Sequence, residues 1–263
     1  MTERARRWPW RGRGARPALL AHRGGRGPWV ENTLEAFAGA LRLGADGVEL
    51  DVRRSADGVL VVHHDPRVEG VGFVHEIPSA QLPPWVPTLS EALAACAGAA
   101  VNVEIKNSAG DPGHDPSESV VSEVLESLSE CAAPGRGGPS ELLLSSFSLA
   151  TVGVLASCGT QVPYGLLVAP AASALEAAHE AASMGCSSLN PFHLQVSPSL
   201  VDRAHEMGLA VVTWTVDGPE QLRAVLAAGV DAIVSNDVSG ALAVISGPGG
   251  LVRDSGPRGQ SGP

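Results

Sequence analysis

The sequence predicts a single (β/α)8 barrel, and three observations support this fold. Short aliphatic runs alternate with amphipathic stretches from Ala18 to Ser235, as expected for repeated βα units around a parallel sheet. Eight of these runs have the composition of barrel strands, and polar residues stand at their C-terminal ends. The chain of 263 residues, 44% of them hydrophobic, is long enough to bury such a barrel.

The predicted strands and helices follow one another in regular order. The first strand ends just before His22, and the first helix follows Thr33 and stops at Gly44. The predicted strands cover 18–21, 48–52, 101–106, 141–146, 164–168, 187–190, 210–216 and 231–235. The predicted helices cover 34–43, 89–96, 117–131, 148–157, 174–184, 200–207 and 220–228.

An extra antiparallel β arm is expected after the second strand. Asp57-Gly58 supplies residue types that favour a tight β turn, and residues 59–62 form a returning strand. This arm delivers His63, His64 and Asp65 back toward the end of the second strand. The segment 66–85 then forms a short cap before the next helix.

A doubly wound open sheet is the alternative fold for an alternating α/β pattern. Such sheets commonly bind nucleotides through a glycine-rich turn at the end of a strand. Neither G-x-G-x-x-G nor G-x-x-x-x-G-K-[ST] stands at the end of a predicted strand. The barrel is therefore the preferred interpretation.

The barrel domain is predicted to cover 18–246, between two tails of biased composition. Residues 1–17 are rich in arginine and contain Trp8 and Trp10, and residues 247–263 are rich in Gly, Pro and Ser. Both tails are expected to be disordered. The leader lacks the apolar run of a signal peptide, and weak peripheral contact with an acidic membrane surface is its alternative role.

Charge and cysteine usage exclude several classes of protein. The formal net charge of −10 argues against binding along a nucleic acid backbone, which requires a face rich in Lys and Arg. No segment approaches the roughly twenty apolar residues of an integral membrane span. The four cysteines, which are too widely spaced for a C-x-x-C motif, are expected to be reduced thiols of a cytoplasmic protein: Cys96, Cys131, Cys158 and Cys186.

Three acidic residues are candidate metal ligands. Glu49 and Asp51 are two positions apart in the second strand, so their side chains point to the same side. Glu104 lies on the third strand, and the C-terminal ends of barrel strands meet at one rim. Three carboxylates there favour a hard divalent cation, Mg²⁺ or Ca²⁺. The alternative is that these acids only form ion pairs, with Arg23, Arg53 or Lys106.

Two histidines and two basic residues accompany these acids. His22 and His64 are candidates for proton transfer, because imidazole titrates near neutral pH. Arg23 and Lys106 would attract an anionic substrate, most plausibly a phosphoryl group, or would merely neutralise the acids.

Trp214 either stacks on the organic part of the substrate or belongs to the core. No chemical role is assigned to six further histidines. His63 faces away from the site, and the other five are expected to lie in loops or on helices without acidic neighbours: His75, His114, His179, His193 and His205.

The order and spacing of these motifs resemble the glycerophosphodiester phosphodiesterase family over about residues 18–240. The motifs that carry the resemblance are, in chain order, His22-Arg23-Gly24, Glu31-Asn32-Thr33, Glu49-x-Asp51, His64-Asp65, Pro87-Thr88-Leu89, Glu104-Ile105-Lys106, Ser146-Phe147 and Trp214-Thr215. The resemblance implies a metal-dependent barrel enzyme that hydrolyses small-molecule glycerophosphodiesters to glycerol 3-phosphate and an alcohol. It places the family's histidine pair at His22 and His64. It places the three metal ligands at Glu49, Asp51 and Glu104, and the two phosphate contacts at Arg23 and Lys106.

Two departures from the family pattern leave other activities open. The cap segment 66–85 is short, and the last strand ends in Ser235-Asn236-Asp237-Val238 where the family more often has Thr-Asp and a Pro. One alternative is phospholipase D-type hydrolysis of lysophospholipids on the same barrel. Another is a catalytically silent barrel that binds phosphorylated metabolites.

Overall fold

The computed structural model, which describes residues 16–131 and 138–247, contains a closed barrel of eight parallel strands. The strands of the described chain are β1 (Ala18–His22), β2 (Gly47–Arg54), β3 (Leu60–Val62), β4 (Arg67–Val68), β5 (Gly72–Phe73), β6 (Ala100–Ile105), β7 (Glu141–Ser146), β8 (Tyr164–Val168), β9 (Ser188–Pro191), β10 (Ala210–Thr213) and β11 (Ala232–Ser235). The helices are α1 (Leu34–Leu43), α2 (Leu89–Ala95), α3 (Ser119–Cys131), α4 (Leu149–Ser157), α5 (Ala174–Ser183), α6 (Pro198–Glu206), α7 (Pro219–Ala228) and α8 (Val238–Ile245).

The barrel closes because β1 pairs in parallel with both β2 and β11. The order around the barrel is β1, β2, β6, β7, β8, β9, β10 and β11. A helix follows each of these strands, and after β2 the helix comes only after the arm and the cap segment. This arrangement confirms the predicted (β/α)8 fold. The predicted leader and tail fall almost entirely on 1–15 and 248–263, outside the described residues.

The antiparallel arm is also confirmed. β3 pairs antiparallel with the end of β2, with Val62 opposite Val52. Gly58 supports the turn with a φ of 80°, which favours glycine. A small apolar cluster packs beneath the arm and the cap, and its members are Val61, Val68, Val74, Leu82 and Val86. The arm is therefore packed against the cap segment, whose β4 and β5 form a two-stranded ribbon.

The structure differs from the prediction at the last helix. No helix was predicted after the eighth barrel strand, yet α8 covers Val238–Ile245. Its sequence, VSGALAVI, is apolar on most sides, so it lacks the contrast between polar and apolar faces that identifies a surface helix. The side chain of Asp237 begins the helix by accepting a hydrogen bond from the Gly240 amide at 2.9 Å.

The inside of the barrel changes from apolar to polar along the strands. The apolar lower part consists of Ala18, Leu20, Ala100, Leu143, Val212, Ala232 and Val234. Because successive inward residues of a parallel strand are two positions apart, Glu49 and Asp51 lie above Gly47, and Glu104 lies above Asn102 and Ala100. The polar residues therefore collect at the C-terminal rim.

The helices that surround the barrel are short. The longest helix of the described ranges is α3, with 13 residues. Among the residues that the structure describes, no helix combines the length and the apolar composition needed to cross a membrane.

Candidate active site

The first strand delivers His22 and Arg23 to the rim through a tight turn. Arg23 has a φ of 53°, and the Asn32 amide donates to its carbonyl oxygen at 2.8 Å. Gly24 follows with a φ of 86°, and a Cβ there would lie 2.8 Å from the backbone carbonyl carbon of Ala36. A larger residue would not fit against α1, so glycine allows the turn that brings the Arg23 amide within 3.1 Å of Glu49 Oε2.

The three predicted metal ligands meet at this rim. Asp51 of β2 lies in register with Glu104 of β6, and Glu49 precedes Asp51 by one inward position. One carboxylate oxygen from each residue lies within 4.8 Å of the other two. All three side chains are buried. Such close, buried acids repel one another unless a cation or a proton neutralises them.

Asp51 is the most extensively paired of the three acids. Lys106 Nζ lies 3.0 Å from its Oδ1, and Arg23 Nε lies 3.3 Å from its Oδ2. Asn32 Nδ2 also donates to Oδ2 at 2.8 Å. Lys106 Nζ contacts Glu104 Oε1 as well, at 2.5 Å.

The ion pairs that the sequence left open as an alternative are thus present for Arg23 and Lys106. Arg53 forms its ion pair with Asp111 instead, with Nη2 3.6 Å from Oδ2, and its Nε donates to the His64 carbonyl oxygen at 2.8 Å. Two basic side chains do not fully neutralise three carboxylates. One negative charge would remain if all three were ionised.

The pKa values of the acids diverge because of this pairing. Burial, together with repulsion from Asp51, raises the pKa of Glu49 to about 8. Burial also raises the pKa of Glu104 to about 7, although Lys106 opposes this shift. Burial would raise the pKa of Asp51 too, but Lys106 and Arg23 hold it well below its usual range.

The three acids fit a hard divalent cation. All the donor atoms are carboxylate oxygens, the set that Mg²⁺ and Ca²⁺ prefer. Glu49 Oε1 is buried and has no hydrogen-bond partner within 16–131 and 138–247. A bound cation would satisfy this oxygen and would stabilise the ionised forms of Glu49 and Glu104, whose pKa values burial raises.

Both predicted catalytic histidines face this same site. His22 Nε2 lies 4.0 Å from Glu49 Oε2, and His64 Nδ1 lies 2.7 Å from Asp65 Oδ1. Burial lowers the pKa of both imidazoles, and the next largest cause is the positive charge of Arg23 for His22 and of Lys106 for His64. With Nδ1 of each ring occupied by a partner, Nε2 is the nitrogen left for chemistry.

Sequence reasoning missed the residues that hold His22. Its Nδ1 lies 2.8 Å from Asn236 Oδ1. Asp217 in turn accepts hydrogen bonds from both the side-chain nitrogen and the backbone nitrogen of Asn236, at 2.9 and 2.8 Å. Ser235-Asn236 departs from the family pattern, but this departure gives no sign that residue 236 contacts residue 22.

One cavity joins these groups and opens to solvent. It encloses about 430 Å³ including the open space at its mouth. Its walls include seven of the eight predicted site residues, while Asp51 lies behind them under Lys106 and Arg23. The lining residues are His22, Arg23, Glu49, His64, Asn102, Glu104, Lys106, Phe147, Leu167, Asn190, Val212, Trp214 and Val234.

Trp214 forms part of an aromatic wall of the cavity. Its ring meets Phe147 and Phe192 edge to face, with centroids 5.4 and 5.5 Å apart. Its Nε1 donates to the Asn190 carbonyl oxygen at 2.9 Å. The indole therefore has a fixed orientation, and its contact with the substrate stays a prediction.

The six other histidines do not line the cavity, but the expectation that five of them lack acidic neighbours was wrong for His75 and His205. His75 Nε2 lies 3.9 Å from Glu76 Oε1. His205 was expected to lack an acidic neighbour, whereas its Nε2 lies 2.8 Å from Asp231 Oδ2. This pair joins α6 to the start of the last barrel strand. The two residues are 26 positions apart, so the sequence alone could not place them side by side.

Fold and site together define an enzyme that acts on an anionic small molecule. Catalytic groups of barrel enzymes lie at the C-terminal rim, and here acids, imidazoles and basic side chains converge there. A family model described as "Glycerophosphoryl diester phosphodiesterase family" matches residues 22–239. The chain therefore belongs to the glycerophosphoryl diester phosphodiesterase family, whose members are phosphoric diester hydrolases.

Individual relatives agree with this assignment. The chain is 30% identical over 239 residues to the glycerophosphodiester phosphodiesterase of Caldanaerobacter subterraneus subsp. tengcongensis, covering 83% of this chain and 93% of that protein. A crystal structure from Silicibacter pomeroyi DSS-3 matches with a TM-score of 0.79 and 28% identity, over 92% of this chain and 97% of that one.

A phosphodiesterase from Oleispira antarctica, solved in complex with the product sn-glycerol-3-phosphate, shares the fold. The TM-score is 0.76 at 24% identity, over 88% of this chain and 98% of that chain.

Proposed function

We propose that the protein hydrolyses glycerophosphodiesters with one divalent cation, Mg²⁺ or Ca²⁺, and with His22 and His64 as the acid–base pair. The reaction itself is that of the family to which the chain belongs. The observation that carries the proposal is that both imidazoles meet the acidic triad of Glu49, Asp51 and Glu104: Glu49 and Glu104 line one cavity with the histidines, and Asp51 lies directly behind them. These residues come from β1, β2, the arm and β6, so only the folded barrel brings them together.

The phosphodiester group would bind at the rim. The Arg23 guanidinium and the Lys106 ammonium offer positive charge beside the acids, and both side chains line the cavity. Glu49, Asp51 and Glu104 would hold the cation. Such a cation, when bound, acts as a Lewis acid that stabilises charge on the phosphoryl oxygens.

The two histidines would perform the proton transfers. One imidazole removes the proton from the attacking group, which is water or the substrate's own 2-hydroxyl, and the other gives a proton to the departing alkoxide as the P–O bond breaks. Attack by the 2-hydroxyl would give a cyclic phosphate, which water would then open to glycerol 3-phosphate. Each Nδ1 is held, by Asn236 Oδ1 in His22 and by Asp65 Oδ1 in His64, so each Nε2 is presented to the substrate in a fixed direction. General acid–base catalysis of this kind contributes about 10²- to 10⁴-fold to a rate.

The test is a panel of glycerophosphodiesters assayed for glycerol 3-phosphate release, with and without a chelator. We expect turnover that is lost with the chelator and restored by Mg²⁺ or Ca²⁺. His22→Ala and His64→Ala should each lose at least about 100-fold in kcat. His63→Ala is the matched control, because His63 is adjacent in sequence and lies outside the cavity lining. Near-normal turnover in either active-site variant contradicts the proposed roles.

A phospholipase D-type reaction on lysophospholipids is the second candidate. The observation that favours it is the apolar surface of the cap segment, where Trp85 is 42% exposed and Val71 is 45% exposed. Exposed apolar side chains suit a substrate with an acyl chain. Turnover of micellar lysophosphatidylcholine that exceeds that of glycerophosphocholine, and that falls in Trp85→Ala, would favour this candidate.

A further inference from the structure

The wall of the cavity contains a buried hydrogen-bond donor without a partner. Asn190, on β9, lines the cavity and is only 1% exposed. Its Nδ2 atom has no hydrogen-bond partner within the described ranges. Leaving a buried donor unsatisfied costs about 1–3 kcal/mol. A donor of this kind in the wall of a substrate cavity indicates a partner that comes from outside the chain.

The orientation of the Asn190 amide is fixed by its neighbours. Ser188 Oγ donates to Asn190 Oδ1 at 2.7 Å, and Trp214 Nε1 donates to the Asn190 backbone oxygen at 2.9 Å. The amide oxygen and the backbone oxygen are therefore both occupied, and Nδ2 is the group that remains for a ligand. Gly165 of β8 leaves the room for this pair, since a Cβ there would lie 2.6 Å from Asn190 Oδ1.

The surroundings of Nδ2 select the chemistry of that ligand. On the same side of the barrel, Leu167 of β8 lies in register with Asn190, and Val212 of β10 lies beside it; both are apolar and line the cavity. Asn102, which also lines the cavity, is held in the same way as Asn190, because Ser145 Oγ donates to its Oδ1 at 3.0 Å. The charged groups lie on β1, β2, the arm and β6, across the barrel from β9. The side of the cavity that carries Asn190 therefore suits a neutral hydroxyl on a short carbon chain, rather than a second charge.

We infer that Asn190 Nδ2 donates a hydrogen bond to the terminal hydroxyl of the substrate's glycerol moiety, which makes Asn190 a specificity-determining residue. This inference rests on the proposed function. With the phosphoryl group beside Arg23 and Lys106, the glycerol carbons extend across the cavity toward β9. The hydroxyl farthest from phosphorus then reaches Asn190. A site built to pair with a hydroxyl discriminates against the analogue that lacks it, because the donor is then left unpaired.

The experiment compares glycerophosphocholine with its analogue that has propane-1,2-diol in place of glycerol and so lacks only the terminal hydroxyl. For the wild-type protein we expect kcat/KM to favour glycerophosphocholine by about tenfold, the value of one neutral hydrogen bond. In Asn190→Leu, which has a similar size and no donor, this ratio should fall close to one. Ser188→Ala is a smaller change that removes the hydrogen bond to Asn190 Oδ1 and frees the Asn190 amide to rotate. It should lower the ratio to a value between that of the wild type and one, and it tests the inference if Asn190→Leu does not fold.

Binding measurements separate this inference from the proposed function. Calorimetry with glycerol 3-phosphate and with propane-1,2-diol 1-phosphate measures the hydroxyl contact without any turnover. A wild-type preference of about tenfold for glycerol 3-phosphate that disappears in Asn190→Leu supports the inference even if no diester is hydrolysed. An unchanged preference in Asn190→Leu, or an equal loss of affinity for both phosphates, overturns it.

Discussion

His22 and Asn236, 214 positions apart in the chain, are joined by a hydrogen-bonding contact of 2.8 Å between Nδ1 and Oδ1. The Asn236 amide cannot turn freely, because Asp217 accepts from its Nδ2 at 2.9 Å. Asn236 therefore presents an oxygen to His22, so His22 Nδ1 carries the hydrogen. Asn236 is a positioning residue for this imidazole, and Asp217 fixes the orientation of Asn236.

Asn236→Leu should lower kcat by about 10- to 100-fold and change KM little, because a misdirected catalytic group slows the chemical step more than it weakens binding. Asn236→Asp retains an oxygen acceptor and should recover a substantial part of the loss. Arg26→Ala is the control: Arg26 Nη2 lies 3.6 Å from Asp217, but the side chain is mostly exposed. Steady-state kinetics of the three variants tests this. A KM effect without a kcat effect in Asn236→Leu contradicts the positioning role.

The affinity of the site for a divalent cation should increase with pH. Burial raises the pKa of Glu49 to about 8 and that of Glu104 to about 7, so protons occupy these ligands at lower pH. Since a cation needs the ionised carboxylates, its binding must displace those protons. We expect the apparent Kd for Mg²⁺ or Ca²⁺ to rise by up to about tenfold per pH unit, for each proton displaced, as the pH falls from 8 to 6.

Calorimetric titrations at several pH values, in buffers of different ionisation enthalpy, count the protons released on binding. Glu104→Gln is the informative variant, because it removes one ionisable ligand and should reduce both the affinity and the number of protons released. A wild-type affinity that is constant from pH 6 to 9 is incompatible with this account of the acidic triad.

The sequence could predict features that depend on residues close together in the chain, but not contacts between residues that are far apart in it. The two-residue spacing of Glu49 and Asp51 is local, and it correctly predicted two acids on one side of β2. The eight βα alternations likewise predicted the barrel. The partnership of His22 with Asn236 could not be read in this way, because only closure of β1 against β11 brings the two positions together. α8 was missed because Val238–Ile245 is apolar on most sides and so shows no contrast between a polar and an apolar helix face.

The pairing of His205 with Asp231 should make stability depend on pH. The hydrogen bond that the His205 imidazole donates to Asp231 raises the pKa of His205 above its usual value of 6.5. A raised pKa in the folded state means that the stabilisation is complete below pH 6.5 and is lost as the pH rises through the folded pKa. Because the His205 side chain is 42% exposed, the effect should be only about 0.5 kcal/mol.

Urea unfolding of wild type and His205→Gln at pH 5.5 and at pH 8.5 measures this contribution. The difference in the free energy of unfolding between the two proteins should be larger at pH 5.5. His179→Gln is the matched control, because His179 also lies on a helix but its Nδ1 contacts only the Leu175 backbone oxygen, at 2.8 Å. A larger difference at the higher pH would have the wrong sign for this pair.

Gly47 allows the two strands that carry the acidic triad to lie side by side. It pairs with Ala100 in the register between β2 and β6, and a Cβ at position 47 would lie 2.7 Å from the Ala100 carbonyl carbon and 2.8 Å from its Cβ. Gly47→Ala must therefore push β2 away from β6. We expect a loss of about 1–3 kcal/mol in the free energy of unfolding, as for an overpacked core, measured by urea denaturation.

The same displacement should also weaken cation binding, since Glu49 and Asp51 lie on β2 and Glu104 lies on β6. Gly153→Ala is the matched control, because a Cβ there meets only Met184 Cε at an ordinary 3.6 Å. Gly153 lies inside α4, where alanine is favoured over glycine by about 1 kcal/mol, so this variant should be as stable as wild type or more so. If Gly47→Ala and Gly153→Ala unfold at the same urea concentration, the barrel does not need the close approach of β2 to β6 at Gly47 for its stability, and the prediction is wrong.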